Sequence, residues 1–111
     1  MYIEFKSVDD KLIAYLAGEL DHHSAEEVRC KIDDTLDRGQ FRKLIMDFST
    51  VTFMDSSGIG VVIGRYKKLS FKNGTVYVTN VNKTIKKVFE LSGMLKIIVL
   101  FDSVDQALLK I

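Results

Sequence analysis

The side chains able to do chemistry in this 111-residue chain fall into two short clusters, Asp55-Ser56-Ser57-Gly58 and Asp21-His22-His23, with Cys30 a little further on. The first cluster stands where an apolar strand pattern gives way to a helical one, so both hydroxyls are expected at a helix N-terminus. Backbone N–H groups and the helix dipole favour negative charge there. A serine held in that position, with only glycine beside it to obstruct approach, suits acceptance of a phosphoryl group from another protein. Such a residue is a switch and not an active site.

Other chemistries fit less well. A nucleophile elbow needs G-x-S-x-G, and Asp55-Ser56-Ser57-Gly58 lacks the leading glycine. His22 and His23 are adjacent and so point in different directions, and a triad also needs an orienting acid and an oxyanion hole. The run Gly58-Ile59-Gly60-Val61-Val62-Ile63-Gly64 misses G-x-G-x-x-G by one residue, and no G-K-[ST] follows. A small nucleotide-binding protein is therefore kept as the alternative reading. Asp21-His22-His23 lacks the spaced ligand set that fixes a transition metal, so neither a metal nor a cofactor is expected. The single cysteine, Cys30, excludes an internal disulfide and fits a reducing cytosol.

The elements that must position these residues can be read from periodicity. Met1–Phe5 and Leu12–Ala17 read as strands joined at Asp9-Asp10, with Gly18 ending the second. Ser24-Ala25-Glu26-Glu27 is a capping-box pattern before Val28, Ile32 and Leu36, a helix that should stop at Gly39. Lys43–Phe48 is an almost continuous apolar strand, followed by a loop through Phe53-Met54. Next come a helix with Ile59, Val62, Ile63, Tyr66 and Leu69 on one stripe, a turn at Asn73-Gly74 and a strand over Thr75–Thr79. Asn82 can cap a helix carrying Ile85, Val88 and Phe89 that ends near Gly93. Lys96–Phe101 reads as the last strand, and Ser103-Val104-Asp105-Gln106 opens a terminal helix burying Leu108 and Leu109.

The order ββαβαβαβα predicts an α/β domain over residues 1–111. Its mixed, mostly parallel sheet should have four to five strands, with about four helices packed around it and the first strand an antiparallel edge. The segments Gly18–Ser24 and Asp55–Gly58 both follow strands directly and so belong at one end of the sheet. On a helical wheel the stripe from Ile59 to Leu69 faces the sheet, leaving Gly60, Val61, Gly64, Arg65, Lys67 and Lys68 opposite. Each exposed glycine costs about 1 kcal/mol relative to alanine, which favours a flat face for docking another helix. Close packing within the domain would explain the same glycines.

Charge and targeting bound the partners. Net charge is +1, which predicts neither nucleic-acid nor membrane binding. No acidic residue occurs from Ser56 to Phe89, whereas Glu19 to Asp37 is dominated by carboxylates, so one acidic and one basic region should suit protein partners. No apolar run approaches the roughly 20 residues of a membrane span. The N-terminus lacks a signal-peptide layout. A cytoplasmic location is expected.

Three tracts together carry a family resemblance: Gly18-Glu19-Leu20-Asp21-His22-His23, Phe53-Met54-Asp55-Ser56-Ser57-Gly58-Ile59-Gly60 with Gly64-Arg65-Tyr66, and Val88-Phe89-Glu90-Leu91-Ser92-Gly93-Met94. The chain resembles the STAS-domain anti-sigma factor antagonists along essentially its whole length. It is more similar to the sporulation members, which act on the anti-sigma-F factor, than to the general stress-response type. The resemblance implies a non-enzymatic protein that binds an anti-sigma factor, itself an ATP-dependent serine kinase, and so frees the sigma factor. It implies phosphorylation of Ser56, the first serine after the aspartate, with a PP2C-type phosphatase restoring binding. Asp55, Ser57 and Gly58 then support the phosphosite, Asp55 as N-cap or by bonding to the strand loops and Ser57 by satisfying helix-terminal N–H groups. Asp21, His22, His23, Met54, Gly60, Val61, Gly64 and Arg65 form the expected docking rim. ATP belongs to the partner kinase.

Overall fold

The alternating β1 (Tyr2–Val8) and the continuously apolar β2 (Lys11–Leu20) form a hairpin in the computed structural model, which describes residues 1–111. Asp9 turns it at φ 55°, a left-handed conformation that Asp tolerates better than most residues. After the hairpin come α1 (Ala25–Asp37), β3 (Lys43–Met54), α2 (Ser56–Ser70), β4 (Thr75–Thr79), α3 (Lys83–Ser92), a 3-10 turn at Met94–Lys96, β5 (Val99–Phe101) and α4 (Val104–Lys110). The sheet order is β1-β2-β3-β4-β5, antiparallel between β1 and β2 and parallel elsewhere. The expected α/β architecture and antiparallel edge are both present.

Two layers of helix cover the sheet unequally. Leu12, Ala14 and Leu16 of β2, Leu44, Met46 and Phe48 of β3, and Val76 and Val78 of β4 bury one face against α1, α2 and α3. Phe89 of α3 meets Phe48 edge-on, their ring centroids 5.8 Å apart, a favoured geometry for an aromatic pair. The opposite face is covered by α4 alone, through Ala107 on Ile13 and Ile45. Asn82 and Ser103 cap α3 and α4 as expected, accepting from the backbone N–H of Ile85 at 2.8 Å and of Gln106 at 3.0 Å.

Several boundaries differ from the sequence expectation, each for an identifiable reason. Gly18 does not end β2; it sits inside the strand at φ 109°, where the register against β3 is irregular. Phe53-Met54 is strand and not loop, because β3 stays paired with β2 as far as Leu20 opposite Met54. The last strand shrinks to Val99–Phe101, since residues 94–96 coil into the 3-10 turn after the left-handed Gly93. Ser24 makes no side-chain cap; its hydroxyl instead donates to the Glu19 carbonyl at 2.7 Å. Leu109 is 86% exposed, and Ala107 fills the buried position expected of it.

Candidate functional site

The parallel pairing of β2 with β3 brings the two chemistry-bearing segments together. Asp55, the residue between β3 and α2, is the joint. Its backbone N–H donates to the Leu20 carbonyl at 3.3 Å. Its Oδ1 accepts from Ser57 N at 2.8 Å as the N-cap of α2, and its Oδ2 accepts from His22 N at 3.3 Å. Both roles expected for Asp55 are thus filled by one carboxylate. Asp21 orders the neighbouring loop, its Oδ1 accepting from His23 N at 2.9 Å and Ser24 N at 3.1 Å. Burial pulls the Asp21 carboxyl upward, but hydrogen bonds from Ser24 and His23 prevail and hold it below the usual carboxylate range.

Ser56 is exposed as the first residue of α2, whereas Ser57 is half-buried. The helix-terminal donors are satisfied by Asp55 and not by the Ser57 hydroxyl. Ser57 N goes to the carboxylate, and Gly58 N goes to the Asp55 carbonyl at 3.0 Å. These are the groups a phosphate-cradling loop would need free. The space beside Gly58 is also filled: an added Cβ would lie 2.3 Å from Met54 Cγ and 3.1 Å from Leu20 Cγ. Gly58 therefore holds the fold together at this turn. Gly58→Ala is expected to cost about 1–2 kcal/mol net, overpacking outweighing the gain in helix propensity, and urea denaturation will measure it.

The remaining docking candidates divide into two groups. Asp21, His22 and His23 gather around Asp55 on the exposed rim, and Gly60 is exposed further along α2. An added Cβ at Gly60 or Gly64 would meet nothing within 4 Å, so neither glycine is demanded by packing. Ser56, Gly60 and Gly64 recur every fourth residue and make a side-chain-free track leading away from the serine. Met54, Val61 and Arg65, by contrast, are only 4%, 5% and 6% exposed. Val61 and Arg65 were expected opposite the sheet, on an open face. They are covered because α1 packs alongside α2, giving that helix two buried sides.

The α1–α2 seam also accounts for much of the charge segregation. Arg65 Nε lies 2.9 Å from Asp33 Oδ1, and Lys68 Nζ lies 2.9 Å from Asp37 Oδ1. Two members of the basic tract are therefore neutralised by two of the acidic tract across this seam. Burial pulls the Arg65 guanidinium downward, countered by Asp33. Asp33 and Asp37 carry a positioning role that the sequence reading did not assign. The available signal was the opposite charge of two helices adjacent in chain order.

With this geometry in view, comparison with known proteins is decisive on kinship. The STAS domain model matches residues 2–107. The chain belongs to the STAS domain family. Within it, this STAS domain stands among the anti-sigma factor antagonists. It is 37% identical over 108 residues to the anti-sigma F factor antagonist of Paenibacillus polymyxa, covering 97% of this chain and 92% of the relative. The structure of the Bacillus protein SpoIIAA in its phosphorylated form superposes with a TM-score of 0.76 at 31% identity, covering 98% of both chains. A putative anti-sigma factor antagonist from Thermotoga maritima gives 0.90 at 25% identity, over 97% of this chain and 92% of the other. These relatives are named for regulation and not for catalysis. No helix of this STAS domain is long and apolar enough to cross a membrane.

Proposed function

We propose that the unphosphorylated domain binds an anti-sigma factor that is also a serine kinase and thereby releases a sigma factor, as in the sporulation members of the family. Phosphorylation at Ser56 ends the binding, and a PP2C-type phosphatase restores it. In the transfer, Ser56 Oγ bonds to the γ-phosphorus of ATP, the bond to ADP breaks, and the hydroxyl proton passes to a base of the kinase. The ATP site, metal and base belong to that partner, so this chain needs no cofactor, and the exchange takes place in the cytoplasm. The observation that carries the reading is the exposed Ser56 at the head of the open Gly60–Gly64 track. A phosphorylated relative of the same fold supports it. Incubation with the anti-sigma factor and ATP, followed by mass spectrometry, tests it: one phosphate on Ser56 is expected. Phosphate elsewhere, or none, removes the acceptor assignment.

The glycine track gives a second expected outcome. Gly60→Ala and Gly64→Ala each add a methyl group into open space on a helix. Each should raise stability by about 0.5–1 kcal/mol, because alanine loses less backbone entropy than glycine. The same methyl groups intrude on a partner seated along the track, so affinity for the anti-sigma factor should fall about tenfold, equivalent to ~1.4 kcal/mol. Thermal denaturation and binding titration on the same samples separate the two effects. Unchanged affinity in both variants would show that the track is not an interface.

A further inference from the structure

The two edges of the sheet are built differently. The β1 edge carries the exposed Glu4 and Lys6, charges that discourage pairing with another strand. The β5 edge, Val99-Leu100-Phe101, carries no charge, and Val99 is 50% exposed. Beside it lies an open groove of about 520 Å³, walled by Val81, Leu95, Val99 and Phe101, with Lys86 and Asp102 at its rim. Leu91 and Ile97 add further exposed apolar surface from α3 and from the segment before β5.

Charge defines what this groove would accept. Lys83, Lys86 and Lys87 crowd the N-terminal half of α3, with Glu90 near its C-terminal end. That polarity opposes the helix dipole, which favours acidic residues at the N-terminus. Lys96 adds a fourth exposed cation from the 3-10 turn. None of the four is in an ion pair, whereas Lys68 and Arg65 find carboxylates on α1. Four unpaired lysines outnumber the nearby carboxylates Glu90 and Asp102. Nothing within the domain offsets their mutual repulsion.

We infer that this groove and the β5 edge receive an extended, acidic and apolar segment of a protein partner, at a surface separate from the phosphosite on β3 and α2. With three residues in β5, edge pairing supplies few hydrogen bonds. Affinity then comes from apolar side chains in the groove and from carboxylates facing Lys83, Lys86, Lys87 and Lys96.

Panning the full chain against displayed random twelve-residue peptides, followed by NMR titration of the isotopically labelled protein with an enriched peptide, tests this. The expected peptides are apolar with net negative charge, and they shift the amides of Lys86, Val99, Leu100 and Phe101 while leaving Ser56 and Gly60 unmoved. Lys86→Glu and Val99→Glu, at exposed positions, should each weaken binding about tenfold or more without altering circular dichroism. Lack of enrichment, selection of basic peptides, or shifts confined to α2 would overturn the inference. So would concentration-dependent shifts of the same amides in peptide-free protein, which would make a second copy of the chain the occupant.

Discussion

Ser56→Asp is expected to lower affinity for the anti-sigma factor about a hundredfold while leaving the fold intact. The residue is exposed, so a carboxylate there meets water and costs the free domain little. Its surroundings within the domain already hold a negative charge. Asp55 is the adjacent residue, and its carboxylate already occupies the N–H groups of Ser57 and His22. Gly58 N is also taken. A new anion at Ser56 therefore finds few backbone donors within its own domain, and binding must desolvate it beside a second carboxylate. A penalty of about 3 kcal/mol is the ordinary scale for such a charge, which corresponds to roughly a hundredfold. The phosphate itself, at about −1.5 to −2 charge, should act more strongly. Ser56→Ala is the companion: full affinity and no phosphate. Calorimetric titration of both variants is the measurement, and an aspartate variant within threefold of the unmodified protein would sink the charge mechanism.

Arg65→Met is expected to destabilise the domain by about 2 kcal/mol with no loss of affinity in the molecules that remain folded. Arg65 is buried between α1 and α2, its Nε 2.9 Å from Asp33 Oδ1 but poorly aligned for a hydrogen bond, and its Nη1 has no partner. The pair is thus an indifferent source of stability compared with an apolar contact. Removing Arg65 alone leaves the Asp33 carboxylate in the seam with only the more distant Arg29, its Nη1 3.5 Å from Oδ2, so part of the cost of breaking a buried ion pair remains. The double variant Arg65→Met with Asp33→Leu should recover most of the loss, because the seam then closes over apolar groups. Urea denaturation reports the stability, and partner titration reports the affinity. A variant of normal stability that no longer binds would return Arg65 to the docking surface.

Much of this molecule is legible from its residues, and the misplaced site residues share one cause. The type and sequence of the elements follow from local periodicity and capping. Asn82, Ser103 and the Asp55 cap act through neighbours two or three residues away, so the chain itself announces them. The order of elements placed Gly18–Ser24 and Asp55–Gly58 at one end of the sheet, and so the meeting of Asp21-His22-His23 with Asp55-Ser56, but not the pairing of Leu20 with Met54, two residues read as lying beyond their strands. Long-range contacts were not legible. Arg65 and Val61 look outward on a wheel drawn against one sheet, and only the arrival of α1 buries them. Gly58 and Gly60, both glycines of the same turn of helix, have opposite reasons to exist. One is surrounded by Met54 and Leu20 and the other by open space, and no spacing rule distinguishes the two.

The length of β3 decides how the phosphoacceptor candidate is carried. Its pairing with β4 stops at Asp47 opposite Thr79, yet the strand continues to Met54 with β2 as its only strand neighbour. The last stretch is a two-stranded ribbon reaching beyond the five-stranded sheet, and Asp55 and Ser56 stand at its tip. Fraying of a ribbon breaks one ladder where disturbing the central sheet breaks two. What anchors the tip beyond that single ladder is the burial of Leu20, Val51 and Met54 in the main core. Under the proposed function, a kinase approaching the Ser56 hydroxyl would meet a tip that stands clear of the central sheet and is held by packing in place of a second ladder.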